Sequence, residues 1–385
     1  MTVPAMLTRT PPTEKSCNGA GAGVPPPFVA PVRWAPMQSW IEFMGGMALV
    51  GLVFLDVFST VLVPRAAHRG VRLGPLMGRV LGGMWRRVAR RLPSPRLRQD
   101  FRGSLAPLLL VLSLALWIAI LASGFALMLH SMPDDARFPS PDLAEAGFQA
   151  ASALSTLGLL NAHVSGPARI IVAVAGVSGF AIVSLVVAFL LSIQNALHRR
   201  EELVIALAAR AGRPPRAVTL LAAMEGAADE ELADLFLAWE RWTADVMQSH
   251  LSYPVLCRFR SLDENAEWLS CLGVVLDAAA LVRAGDRGDY PRAVRAAGFL
   301  IETAKRACIE LSRLLGIRRK TIDAKPAVEG AVAEAEQLGF ADGHPDTRVR
   351  LVERERRVYA PTLEAIAHQL DIVWTGTLVD EATLP

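Results

Sequence analysis

Residues 148–161 read FQAASALSTLGLLN and lie between two long apolar segments. A short amphipathic run, the Ser155-Thr156 pair and a glycine at Gly158, set on the outer side of a membrane, have the make-up of a re-entrant pore loop. Non-helical backbone within a bilayer is tolerated only where protein or water covers it. Working outward, residues 142–155 predict a helix of 12 to 14 residues, too short to span. Residues 156–161 are then expected to run extended, with their carbonyls facing an axis.

The flanking segments set the fold class. The 385-residue chain is 52% hydrophobic, and the excess is concentrated in residues 40–63, 105–129 and 168–193. A span needs about 20 apolar residues at 1.5 Å each, and all three runs exceed that. The expectation is an all-α membrane protein. It comprises an N-terminal segment without apolar core (1–36), a first transmembrane helix (37–64), a basic linker (65–104), a pore module (105–195) and a C-terminal helical bundle (196–385). Within the module, spans 105–130 and 168–193 flank the short helix and loop at 142–161.

Charge placement gives the orientation. Between Arg65 and Arg102 stand eleven arginines and one acid, Asp100. Such density at the ends of two spans marks the cytoplasmic side. The N-terminus is therefore expected outside, 132–167 outside, and His198-Arg199-Arg200 in the cytosol. Anionic lipid headgroups, rather than nucleic acid, are the expected counter-charge for the linker. Within it Leu76, Met77, Val80, Leu81, Trp85, Val88 and Leu92 have helical spacing, which predicts an interfacial amphipathic helix. Cys17, Cys257, Cys271 and Cys308 show no metal-ligand spacing, so no disulfide, metal or other cofactor is expected.

Asp56 lies inside the first span, in GLVFLDVFSTVLVPR. A carboxylate there must face protein, water or a cation rather than lipid. Two readings fit: an interfacial acid paired with Arg65 or a linker arginine, or a polar brace that fixes this span against the pore module. At the other face, Asp134, Asp135, Asp142 and Glu145 make the outer mouth acidic on balance against Arg137; such charges either concentrate cations or simply solvate a surface loop. The C-terminal end of the short helix carries partial negative charge and favours a cation beyond it.

Span, short helix, TLGLLN and span together resemble the two-helix pore module of the potassium channel superfamily, whose filter reads TVGYG followed by Asp. Position by position, Thr156 matches the filter threonine, Leu157 the valine, Gly158 the first glycine, Leu159 the tyrosine, Leu160 the second glycine and Asn161 the aspartate. The resemblance extends along the chain. LDVFSTVLVPR (55–65), LSIQNALHRREELVIALAARAGRPP (191–215) and WERWTADVMQSHLSYPVLCRFRSLDENAEWL (239–269) are similar to motifs of a bacterial group of two-transmembrane-type potassium channel proteins. The resemblance implies a homotetramer in which carbonyls of four subunits replace the ion's hydration shell.

The departures matter. A β-carbon at Leu160 disfavours the backbone angles that glycine reaches freely, at about 1 kcal/mol or more per subunit. Leu159 removes the tyrosine hydroxyl that holds the filter open from behind. Three outcomes remain open: a weakly selective cation pore, a potassium channel with an adapted filter, or a non-conducting relative that serves as a membrane-anchored scaffold. Gly176 and Gly179 in the third span are either a gating hinge or sites of close packing. Ile182 to Leu191 form an apolar inner wall, and Ser192, Gln194 and Asn195 a polar exit.

Beyond His198 the pattern is helical throughout. A helix is expected from about 215, then a stripe of Leu232, Leu235, Phe236, Trp239 and Trp242, and helices near 262–284, 289–315, 325–338 and 343–371. Asp245, Ser249 and His250 lie on one helix without a nucleophile context, because adjacent side chains do not face each other. His250, Tyr253 and Trp268 are expected to pack between helices, and Arg258 and Arg260 to pair with Asp263 and Glu264. No phosphate loop occurs, so the chain is read as not an enzyme, with room for a cytosolic protein partner.

Overall fold

The computed structural model describes residues 37–62, 80–85, 87–88, 91, 93–94, 97, 101, 104–132, 142–157, 166–263, 265–285, 288–317, 325–340, 344–370, 372 and 374. Among these the fold is all-α. Helix α1 (Met37–Val57) runs on into a π-helical turn, Phe58–Leu62. Then come α2 (Leu105–His130), α3 (Leu143–Leu154) and α4 (Ala168–Ala211). The C-terminal part holds α5 (Ala217–Ala222), α6 (Asp229–Ser252), a 3-10 turn (Pro254–Arg258), α7 (Trp268–Gly285), α8 (Pro291–Leu315), α9 (Lys325–Gln337) and α10 (Pro345–Gln369).

Among the described residues, four helical stretches are long and apolar enough to cross a membrane: Met37–Thr60, Pro107–His130, Ala168–Ala211 and Trp268–Gly285. The fourth is 89% buried inside the protein, against 22%, 28% and 33% for the others. A helix apolar on every face and wrapped by neighbours is a bundle core, and α4, α5, α6, α8 and α10 enclose α7. The first three instead leave Ile41, Leu55, Val111, Val177 and Phe180 uncovered. So much contiguous apolar surface calls for lipid or another chain. The molecule is a multi-span helical membrane protein joined to a large helical bundle.

The expected helices of the bundle are present with shifted ends. The largest shift is at α7, which begins at Trp268 rather than 262 because the preceding residues form a bonded turn. The helix is continuous across the 195/196 boundary drawn from the sequence. α4 continues 44 residues to Ala211, about 66 Å, since no Gly or Pro occurs between Gly179 and Gly212. Its C-terminal third buries Arg200, Glu201, Val204, Leu207 and Ala211 in the bundle. One helix therefore belongs both to the membrane-spanning part and to the bundle.

Candidate functional site

α3 sits in the angle between α2 and α4. Its buried face is small: Ala146 and Ala150 are fully covered, with Ser152, Ala153 and Leu154 nearly so. Asp142 starts it as an extended cap residue whose carboxylate accepts from the Glu145 N–H at 2.7 Å. Both acids thus complement the positive end of α3.

The other end of α3 departs from the expected extended run. Thr156 has φ +59°, the one non-glycine positive φ among the described residues. Its N–H donates to Ala153 O at 3.1 Å, and the Leu157 N–H donates to Ser152 O at 3.1 Å. This pair of bonds is a Schellman cap. The same pair closes α8, with Gly316 at φ +67°, and α9, with Gly339 at φ +79°. Only α3 uses a β-branched residue there, at a cost of about 1 kcal/mol or more. The chain turns at Thr156 because the orphan carbonyls of α3 capture the next two N–H groups before a strand begins.

Gly179 seats the C-terminal end of α3. A β-carbon at 179 would lie 2.8 Å from the Leu154 carbonyl carbon and 2.9 Å from its Cα, and would collide with its oxygen. At Gly176 the nearest atom, Ala153 O, is 3.5 Å away, an ordinary contact. Close packing therefore accounts for Gly179 and not for Gly176. Farther down α4, Gln194 and Asn195 are exposed.

α1 and α2 are joined at three levels. Glu42 Oε2 lies 2.9 Å from His130 Nδ1 near one end. In the middle Gly46 and Gly124 face each other so closely that a β-carbon on Gly46 would stand 2.5 Å from Gly124 O. Near the other end Asp56, only 3% exposed, accepts from Trp117 Nε1 at 2.8 Å. This bond is of the kind the brace reading calls for, while Arg65 and most of the linker arginines lie outside the described residues. Trp117, the glycine pair and Glu42–His130 had no local signal, since their partners stand 61 to 88 residues apart.

At the C-terminal end of α4 the two longest quoted motifs of the sequence meet in one buried polar cluster. Arg200, 1% exposed, donates from Nη2 to Glu201 Oε1 (2.8 Å) and to Arg260 O (3.2 Å). Its guanidinium also stands 5.3 Å from the Trp268 ring centroid. Trp242 Nε1 donates to Arg200 O at 2.9 Å. Glu201 accepts from Ser261 Oγ and the Leu262 N–H, each at 3.3 Å, and Arg260 pairs with Glu267 at 3.1 Å. Of the expected grouping of Arg258 and Arg260 with Asp263 and Glu264, Asp263 also pairs with Arg213 at 3.2 Å, and Glu264 lies outside the described residues. His250 packs 5.1 Å from Trp268. Burial, and then the charge of Arg200, push its imidazole down from 6.5 to about 3. Burial likewise pushes the Cys257 thiol up to about 12, which leaves it unreactive.

The 3-10 turn after α6 carries this cluster to the membrane-spanning helices. Leu256 packs with Phe189, Ile193 and Ala196 of α4, and Leu110 of α2 joins them. Tyr253 meets Phe189 edge-on at 5.5 Å.

Gly158, Leu159, Leu160 and Asn161 lie outside the described residues, as do Asp134, Asp135, the 1–36 segment and most of the 65–102 linker. Within that linker, residues 80–85 are helical, Val80 and Met84 are exposed, and Trp85 stacks on Phe101 at 4.0 Å. No filter-like strand occurs among the described residues, and no group of three or more potential metal ligands does either. No family model, curated protein or solved structure matches the chain.

Proposed function

We propose that this chain is one subunit of a homotetrameric channel for monovalent cations, either potassium-selective or weakly selective, in a bacterial cytoplasmic membrane. One observation carries the reading. α3 is too short to span, and its end rests on Gly179, eleven residues into α4, about 16 Å along that helix. In a hydrocarbon core about 30 Å thick, the turn at Thr156 and Leu157 then lies near the midplane. Leu157 is 73% exposed there. Irregular backbone at that depth needs protein or water over it, and four copies around an axis supply both.

In this reading residues 156–161 form the narrow part of the pore, with Asp134, Asp135, Asp142 and Glu145 at its outer mouth. The N-terminus is outside, the bundle is cytosolic, and the 65–102 arginines contact anionic headgroups. Gly176 and Gly179 serve as the bend in α4, Gly179 also as the seat of α3. No catalytic role is proposed.

A second reading, a non-conducting scaffold that binds a cytosolic protein, is favoured by Leu160 and by the internal capping of the Ser152 and Ala153 carbonyls. Flux from liposomes under potassium and then sodium gradients separates the two. Conduction is expected, with Leu160→Gly raising potassium over sodium. Silence toward both ions from a crosslink-verified tetramer selects the scaffold. For topology, Asp135→Cys is expected to label from outside and Arg90→Cys from the cytosol; the reverse refutes the orientation.

A further inference from the structure

Away from the membrane-spanning helices, α7, α8 and α10 border an open cleft of about 800 Å³. That falls within the range of about 300–1,000 Å³ typical of small-molecule sites. Cations from three helices converge on it: Arg283 from α7, Arg295 and Lys305 from α8, and Arg354 from α10. Two acids offset them in part, as Arg283 pairs with Glu355 at 3.4 Å and Lys305 with Glu302 at 3.6 Å. Arg295 and Arg354 make no ion pair among the described residues.

Two further features distinguish the cleft from an ordinary solvated face. Gly298 leaves the α8 backbone bare, and the Arg283 guanidinium lies where a β-carbon would project. Phe299, next in sequence, keeps its ring 55% exposed at the same cleft. The site thus combines two guanidinium groups that form no ion pair among the described residues, suited to bidentate phosphate contacts, with a guanidinium laid against backbone and an aromatic side chain suited to stacking.

We infer that this cleft binds a soluble organic phosphate bearing a planar ring, of the nucleotide class. A lipid headgroup has the same phosphate chemistry, but α8 and α10 pack mainly against other bundle helices rather than the membrane-spanning ones. The inference does not depend on ion conduction.

The test is titration of ATP and of inorganic pyrophosphate into the full chain in zwitterionic nanodiscs. Arg295→Glu and Arg354→Glu should each weaken both ligands about tenfold or more, the size of one charge-assisted hydrogen bond. Arg306→Glu, the same charge change on α8 outside the cleft, should leave binding unchanged. Phe299→Ala should weaken ATP and spare pyrophosphate. Equal loss in Arg306→Glu, equal effects of Phe299→Ala on the two ligands, or no ATP binding by the unaltered protein would each overturn the inference. So would ATP binding abolished by phosphatidylglycerol in the nanodisc, which would mark a headgroup site.

Discussion

Gly179 and Gly176 stand three residues apart on α4, and an added methyl group should have opposite consequences at the two. In a helix interior either glycine-to-alanine change gains about 1 kcal/mol of backbone stability. At Gly176 nothing opposes that gain, because the nearest atom to the new carbon is 3.5 Å away. At Gly179 the new carbon meets the Leu154 carbonyl carbon at 2.8 Å and Cα at 2.9 Å. Unstrained carbon contacts begin near 3.5 Å, and these atoms are backbone, so no rotamer change relieves them. The end of α3 must shift by about 0.5–1 Å, at a cost of about 1–3 kcal/mol. Gly176→Ala should therefore unfold later than the unaltered protein, and Gly179→Ala at or below it. The gap between them should be about 2 kcal/mol, or roughly 5 °C in apparent Tm, read by tryptophan fluorescence in detergent. Thiol labelling of Leu157→Cys in each background would report whether the turn after α3 has moved. Equal melting temperatures, or a Gly179→Ala protein more stable than Gly176→Ala, would refute the seating of α3 on Gly179.

Three other expectations follow from separate contacts. Asp56→Ala and Trp117→Phe should be non-additive by about 1 kcal/mol in a double-mutant cycle, since one hydrogen bond joins them; additive effects would dissolve the brace. Thr156→Gly should raise the apparent Tm by the equivalent of about 1 kcal/mol, while Gly316→Thr should lower it similarly, because both residues fill the same left-handed cap position. Glycine at 156 with no gain would show that the threonine is unstrained. For His250, whose pKa falls from 6.5 to about 3, the unfolded chain binds a proton between those values that the folded chain does not. Stability should accordingly fall as pH drops through that window, by about 1.4 kcal/mol per unit. His250→Phe should remove this component of the slope, measured as denaturation midpoints from about pH 7 to about pH 4. Glu267, whose pKa is raised by burial, acts in the opposite sense in both proteins and cancels in the comparison. An unchanged slope would refute the assignment.

Sequence by itself determined the apolar runs, the helical periods and the charge asymmetry, because each depends on residues within a turn or two of one another. It therefore gave the spans, the short helix and most bundle helices, while the capping bond of Asp142 came only with the structure. It did not show how far α4 runs, since polarity changes at His198 while helix continuity depends on the absence of Gly and Pro as far as Gly212. Thr156 was expected in a strand, because nothing local showed that the carbonyls of Ser152 and Ala153 would draw the following N–H groups back. Trp268–Gly285 is apolar enough for a membrane, and only enclosure by other helices made it a core. Asp56 announced that it needed a partner but could not name Trp117. The motifs at 191–215 and 239–269 were each legible alone. That Arg200 of one is buried among Trp242, Arg260, Glu267 and Trp268 of the other was decided by tertiary structure. A charge can be buried only where groups distant in sequence surround it, and no local pattern encodes their meeting.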